Sequence, residues 1–362
     1  MNGERISPKG RGAGFNPPNR FDPEHHEIEL ETVEDDEDYL ESLRRPETEF
    51  LPDRSRSVIA ENQSPDVGFE ASLNPYRGCE HGCIYCYARP THEYLGMSAG
   101  LDFETKILVK HDAPALLRRE LESPKWRPRV LSLSGVTDPY QPIERKLRLT
   151  RRCLEVMAEY RQAVTIVTKN RLVTRDADVL AALAAHQAAG VFVSITTLNP
   201  ALASLLEPRT SRPSGRLEAI RALTAAGVPA GVMVAPVIPG LNDHEIPAIL
   251  EAAAKAGAQT AGYVMIRLPS AVAPLFEDWL QRHRPDAKDK ILNRIRSMRE
   301  GKLNDARFGS RMSGQGPMAE LIARVFRSSC KRLDLNVRPW PVSAAAFQRP
   351  GGDGDKQLLL FD

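Results

Sequence analysis

Short apolar runs alternate with helical stretches every 30 residues or so through the middle of this 362-residue chain. That period is the one required by parallel strands joined through right-handed helical crossovers. Strands are expected at Leu131–Val136, Ala163–Thr168, Val191–Thr196, Gly231–Val237 and Gly262–Leu268, with helices between them near residues 145–160, 174–188, 213–226 and 243–256. Asn170, Thr174, Asn242 and Asp243 stand where helix N-caps are needed, and Gly190, Gly227 and Gly257 where C-caps are needed. A first strand just before Cys79 brings the count to six. No GxGxxG follows it, so the expected α/β fold is a partial (β/α)6 barrel rather than a dinucleotide-binding sheet. Reactive residues then belong just after the strands.

Charge divides the chain. Residues 1–60 carry 8 Lys/Arg against 15 Asp/Glu, a net −7, whereas residues 281–350 carry 16 against 6, a net +10. The expected organisation is a disordered acidic leader at 1–65, a barrel core at 66–275, a basic helical extension at 276–340, and a flexible linker with a hydrophobic terminal peptide at 341–362. A basic body fits an anionic partner, nucleic acid included. The longest apolar runs, such as Val232–Val237, fall far short of a membrane span, and the first residues carry no signal-peptide pattern. A cytoplasmic protein without a membrane segment is the expectation. Five cysteines, three of them within eight positions, suit a metal or redox site rather than a disulfide scaffold.

Those three lie in Asn74-Pro75-Tyr76-Arg77-Gly78-Cys79-Glu80-His81-Gly82-Cys83-Ile84-Tyr85-Cys86-Tyr87-Ala88-Arg89. The spacing C-x3-C-x2-C lets one loop turn three sulfurs toward one centre. Three thiolates at Cys79, Cys83 and Cys86 fit a [4Fe–4S] cluster and leave one iron open to an exogenous ligand. A zinc site with His81 or His92 as fourth ligand is the competing arrangement, though zinc sites usually pair two CxxC elements and no second pair exists here. Polar residues mark the other strand ends. They are Thr137 and Asp138 after the second strand, Lys169 after the third, Ser194 and Thr196 on the fourth, Arg209 after it, and Arg267 ending the sixth. Ser194 and Thr196 share a face by the two-residue period.

The cysteine motif, with Tyr85 in the aromatic place, resembles that of the radical S-adenosylmethionine superfamily, and the resemblance covers roughly residues 70–270. It implies a partial barrel of the radical SAM type. It implies S-adenosylmethionine on the open iron, cleaved by one electron to a 5′-deoxyadenosyl radical that abstracts hydrogen from a substrate. It also implies an electron donor such as flavodoxin or ferredoxin. Thr137-Asp138-Pro139-Tyr140-Gln141-Pro142 resembles the branch that includes spore photoproduct lyase, where most of the superfamily has Gly-Gly-Glu. On that footing Asp138, helped by Thr137, accepts from the cofactor's amino group. Lys169 holds its carboxylate, Arg209 holds that carboxylate or an anionic substrate, and Ser194 and Thr196 reach its ribose. Pro236, Pro239 and Gly240 pass its adenine. One position departs from the lyase pattern: Val136 stands where that branch has a hydrogen-donor cysteine, which leaves Tyr140 and Cys153 as candidate donors.

The expected function is therefore radical chemistry on an unknown substrate, with a nucleic acid and a DNA-repair-like role as the first reading. A small molecule or peptide substrate, and a non-catalytic iron–sulfur protein, are the alternatives. The chain closes in Gln357-Leu358-Leu359-Leu360-Phe361 after a Gly-rich stretch. This end resembles the short peptide by which bacterial replication and repair proteins dock on the sliding clamp, Leu and Phe filling a pocket on the partner; the alternative is a tail that folds back on its own barrel.

Overall fold

The computed structural model describes residues 8–22, 41 and 44–350. Among the described residues are ten strands: β1 (Glu49–Pro52), β2 (Ile59–Glu61), β3 (Ala71–Leu73), β4 (Tyr76–Arg77), β5 (Lys106–Val109), β6 (Leu131–Leu133), β7 (Val164–Thr168), β8 (Ala189–Ser194), β9 (Ala230–Val237) and β10 (Thr260–Met265). Seven form one sheet in the order β10-β9-β8-β7-β6-β3-β2. Neighbours from β3 to β10 pair in parallel, and β2 adds an antiparallel edge. The six parallel strands are the six expected from the sequence, in an open array. A separate small sheet, β1-β5-β4, flanks the loop that carries the cysteines.

The crossover helices run at Leu149–Glu159, Ala177–Ala184, Pro213–Ala225 and Ile246–Lys255. Each buries its apolar stripe on the sheet, and Leu154, Leu180, Ile220 and Leu250 are fully buried. Along β7 buried Val164, Ile166 and Thr168 alternate with half-buried Thr165 and Val167, as a strand does with one face on the core. Gly227 (φ +79°) and Gly257 (φ +103°) stop their helices as expected. Gly190 does not cap a helix; it lies inside β8, and the ring of Trp340 occupies the space its missing Cβ leaves. The strand expected to reach Val136 stops at Leu133, because Ser134 and Gly135 take positive φ and turn the chain toward the cysteine loop. Asn170 caps the turn after β7, accepting from Leu172 N at 2.9 Å. Asn242 instead accepts from Ile238 N and donates to the carbonyls of Thr196 and Pro236, bracing the ends of β8 and β9.

Both ends of the chain differ from expectation. In the leader, Arg11 Nη1 donates to Glu104 O, Ser98 Oγ to Pro17 O, and Val58 joins the core. Residues 8–22 and 44–65 therefore pack as a strap where disorder was expected; the acidic run at 34–38 lies outside the described residues. In the linker, Val342, Ala344 and Phe347 pack on the barrel, Trp340 lies 4.5 Å from the Phe192 ring, and Arg349 donates to Leu121 O and Ser123 O. This second strap crosses the end of the barrel where β7 and β8 begin, opposite the cysteines. The extension is helical, at Val272–His283, Lys288–Ser297 and Gly316–Arg332. Among the described residues no helix is long and apolar enough to cross a membrane.

Truncating a buried aromatic costs about 3–5 kcal/mol. Trp340 is half-buried, so Trp340→Ala should lower the unfolding free energy by about 2 kcal/mol in a urea titration. A midpoint equal to that of the parent chain would mean that the strap is not held as described.

Candidate active site

The cysteine loop leaves β4 at Gly78. Gly78 (φ +81°) and Gly82 (φ +66°) adopt left-handed backbone, and an added Cβ would meet His92 Cε1 at 2.8 Å and Glu104 Oε2 at 2.6 Å respectively. Cys79 N donates to Phe103 O and Ile84 N to Leu206 O. All five cysteines carry free thiols, and Cys79 and Cys83 are buried. Burial pushes the Cys83 thiol up, helped by the charge of Glu207, and pushes Cys86 up to about 11. Thiolates in such a place need a cationic partner such as a metal centre.

Beneath the loop lies a buried ion pair that the sequence did not flag. Arg89, fully buried, donates to Cys83 O, Ala99 O and Gly100 O and pairs with Glu104. The Glu104 carboxylate also accepts from Gly12 N at 3.0 Å and Ala13 N at 2.9 Å. The N-terminal strap is thereby fastened against the loop, with Gly12 in close contact with Gly82 O.

Asp138 sits as expected at the end of the second parallel strand, but its carboxylate is full. Oδ1 accepts from Thr168 Oγ1 at 2.7 Å and Tyr140 N at 2.9 Å; Oδ2 accepts from Lys169 N at 2.8 Å and lies 3.3 Å from His81 Nδ1. A carboxylate offers about four lone-pair sites, and these four groups surround it within the protein. His81 is held on its other side by Asn170 Nδ2 at 3.2 Å. Asn170 Oδ1 accepts from Leu172 N and Ser211 Oγ, which leaves its amide group facing His81. Thr137 Oγ1 donates to Gly78 O at 2.7 Å and also accepts from Gln141 Nε2. It too braces the loop rather than facing outward.

Tyr85, Lys169, Ser194 and Thr196 do converge. Lys169 Nζ lies 2.7 Å from Ser194 Oγ, 3.1 Å from Thr196 Oγ1 and 2.9 Å from Ala235 O. At the centre is a residue passed over in the sequence, Glu207. Its Oε1 accepts from Tyr85 OH and Thr196 Oγ1 and lies 3.1 Å from Lys169 Nζ, while Oε2 pairs with Arg216. Arg216 also donates to Ser194 O and Ser211 O. Burial opposes the charge on Glu207, but Arg216 and Lys169 outweigh it and hold the carboxyl well below its ordinary 4.5. Neighbouring Arg209 stands outside this network, 3.4 Å from Glu80 and from Thr48 Oγ1. The sequence signal for Glu207 was its place in Glu207-Pro208-Arg209, where the arginine drew attention first.

Tyr140 and Cys153 are not at the barrel mouth. Both are fully enclosed in the main core. Tyr140 is steered there by the turn that Asp138 Oδ1 makes with its backbone, and its hydroxyl faces the carboxylates of Asp176 and Glu144. Both candidate donors are thus placed in the core and apart from the group around Lys169.

Removing one partner of a buried pair costs about 3–5 kcal/mol. Glu207→Ala, which strands Arg216, should show a loss of that size. Because the folded pKa of Glu207 lies below the unfolded one, its stabilisation is complete above pH 4.5 and lost as pH falls toward the folded value. Unfolding free energies of the parent and Glu207→Gln should therefore converge as the pH drops below 4.5; a gap unchanged with pH would contradict the network.

A family model described as the Radical SAM superfamily matches residues 73–253, half of the chain. An uncharacterized protein of Mycobacterium tuberculosis is 38% identical over 220 residues, covering 60% of this chain and 65% of that protein. An uncharacterized protein of Methanocaldococcus jannaschii is 27% identical over 197 residues, covering 54% of this chain and 71% of that protein. The match thus spans just under two thirds of the mycobacterial relative's length. Among solved structures, spore photoproduct lyase complexed with dinucleoside spore photoproduct superposes with a TM-score of 0.59 at 18% identity, covering 78% of this chain and 79% of the lyase. A mutant of that lyase with bound AdoMet and the same photoproduct gives 0.57 at 18% identity, covering 78% of each chain. At such identities the likeness is one of fold. With one family model matched across half of its length, the chain belongs to the radical SAM superfamily, whose enzymes use a [4Fe–4S] cluster and S-adenosylmethionine.

Proposed function

We propose that this protein is a radical SAM enzyme in which Cys79, Cys83 and Cys86 hold the [4Fe–4S] cluster and the wall formed by Tyr85, Lys169, Ser194, Thr196 and Glu207 holds S-adenosylmethionine. The observation that carries the reading is the shared hydrogen bonding at Glu207, which joins the cysteine loop through Tyr85 to the ends of two parallel strands through Lys169 and Thr196. The donor set fits the group: three free thiols on one loop, between glycines that keep side chains out of the way. When bound, the cluster and S-adenosylmethionine supply an electron and a 5′-deoxyadenosyl radical that takes hydrogen from the substrate.

The chain's own residues bind and orient. Lys169, the accessible cation of the wall, meets the cofactor carboxylate, while Ser194 and Thr196 offer hydroxyls to the ribose. Glu207, kept charged by Arg216, sets the position of the lysine. Asp138 and His81 fix the loop from the strand side, and the N-terminal strap closes it from the other. The substrate in this reading is a nucleic acid. The basic charge of residues 281–350 supports it, as does the shared fold with a lyase that takes a dinucleoside photoproduct. The work is done in a reducing cytoplasm, with reduced flavodoxin or ferredoxin as donor. The terminal peptide Gln357–Phe361 lies outside the described residues. As a clamp-docking element it would leave from the barrel end opposite the cysteines, where Arg349 is fastened.

Anaerobic reconstitution with iron and sulfide, then dithionite and S-adenosylmethionine, should yield 5′-deoxyadenosine without added substrate; none would leave a non-catalytic iron–sulfur protein. Cys79→Ala should lose the cluster, since a three-thiolate site has no spare ligand, whereas Cys330→Ala should keep it. Lys169→Ala should retain full iron and bind S-adenosylmethionine roughly tenfold to a hundredfold more weakly. Unchanged affinity would put the cofactor elsewhere.

A further inference from the structure

Five large aromatic side chains are exposed among the described residues: Phe21, Phe50, Tyr87, Tyr94 and Phe308. Four of them lie against a guanidinium. Arg20 Cζ stands 4.8 Å from the Phe21 ring centroid and 5.5 Å from that of Tyr94, and those two rings are 4.9 Å apart. Arg267 stands 4.7 Å from Tyr87, and Arg311 4.6 Å from Phe308. These groups are continuous. Arg20 Nη1 donates to Ser270 Oγ at 3.2 Å, three residues beyond Arg267. Arg299 Nη2 donates to Ile266 O and Arg311 O, tying the segment before Arg267 to the loop that carries Phe308. Tyr87 follows Cys86 directly, and its hydroxyl donates to Gly135 O. The rim therefore borders the cysteine loop and the turn after β6.

Its charge is only partly compensated: Arg20 pairs with Glu93 at 2.9 Å, whereas two other arginines have no ion pair among the described residues. Arg267 has a ring beneath it but makes no hydrogen bond or ion pair with a described residue. Arg299 is 1% exposed, and its Nε and Nη1 have no partner. A buried cation without a counter-charge is costly, and it projects positive potential onto the surface in front of it. Burial pulls both arginines below their ordinary value, with repulsion from Arg311 adding to it at Arg267 and repulsion from Arg267 adding to it at Arg299. Arg311 does have a partner in Asp66. Beside it, a hollow of about 300 Å³ is lined by Arg307, Phe308, Gly309, Ser310, Gly314 and Gln315.

We propose that this rim binds a single-stranded polynucleotide, with Arg267 meeting a phosphate and Phe21, Tyr94 and Phe308 stacking unpaired bases beside the reaction site. The proposal rests on reading the barrel mouth as that site. Flat exposed rings alternating with arginines match a strand whose bases show their faces. A duplex hides those faces, and an acidic peptide answers the charge but not the rings.

The test uses reconstituted holoenzyme and a fluorescent oligodeoxythymidylate of about 20 nucleotides, with the matching oligouridylate as a second arm, followed by anisotropy at low salt. Binding that weakens with added salt is expected. Arg267→Ala with Phe308→Ala should weaken it about tenfold or more, with iron content and thermal unfolding unchanged. Poly-glutamate of equal charge should compete poorly, and a blunt duplex should bind less tightly than the single strand. The proposal is overturned if neither oligonucleotide binds, if the double variant binds as well as the parent, or if poly-glutamate displaces the strand equally. The 5′-deoxyadenosine assay, run on the same preparation without nucleic acid, reports separately on the radical reading and stands whichever way the binding falls.

Discussion

One buried carboxylate organises the mouth of this barrel. Glu207 is 2% exposed and is met by two cations and two hydroxyls drawn from four parts of the chain: the cysteine loop, the end of β7, the end of β8, and the helix Pro213–Ala225. A charge so deep persists only when it is fully partnered, so each of these segments is constrained by the others. Lys169 is the member of the group that keeps some access to solvent. Its position is fixed in advance, which lowers the ordering cost of meeting an anionic ligand.

The loop of cysteines is braced from two sides by different chemistry. Asp138 and His81 hold it from the strands, with the carboxylate saturated by its donors. Arg89 and Glu104 hold it from below and fasten the N-terminal strap against it. Residues that supply sulfur or meet a ligand are thus few, and more of the polar inventory keeps them in place. That division suits a site whose reactive chemistry belongs to a cofactor and whose protein must orient and shield.

Much of this was legible in the sequence. Strand–helix alternation pointed to the parallel strands, the cysteine motif singled out Tyr85, and residue types at strand ends singled out Lys169, Ser194 and Thr196; these four do meet. Asp138 was singled out, but the donors that surround its carboxylate were not, because a sequence shows a carboxylate without showing how many donors it meets. Glu207, Arg216, Arg89 and Glu104 were missed because long-range buried pairs have no local pattern. The leader was misjudged by averaging. Its acidic run dominated the composition, while Gly12 and Ala13, whose backbone amides do the binding, carry no compositional signal. Trp340 and Phe347 were absorbed into a linker for the same reason: a strap held by a few anchors lacks periodicity.

The central claim is that S-adenosylmethionine binds at the cluster held by Cys79, Cys83 and Cys86, against the wall built on Glu207. Electron paramagnetic resonance of the dithionite-reduced holoenzyme, recorded before and after adding S-adenosylmethionine, tests it most directly. The account predicts that the g-values of the reduced cluster shift when the cofactor ligates the open iron, and that Lys169→Ala needs more cofactor for the same shift. A spectrum that S-adenosylmethionine leaves unaltered at saturating concentration would contradict it.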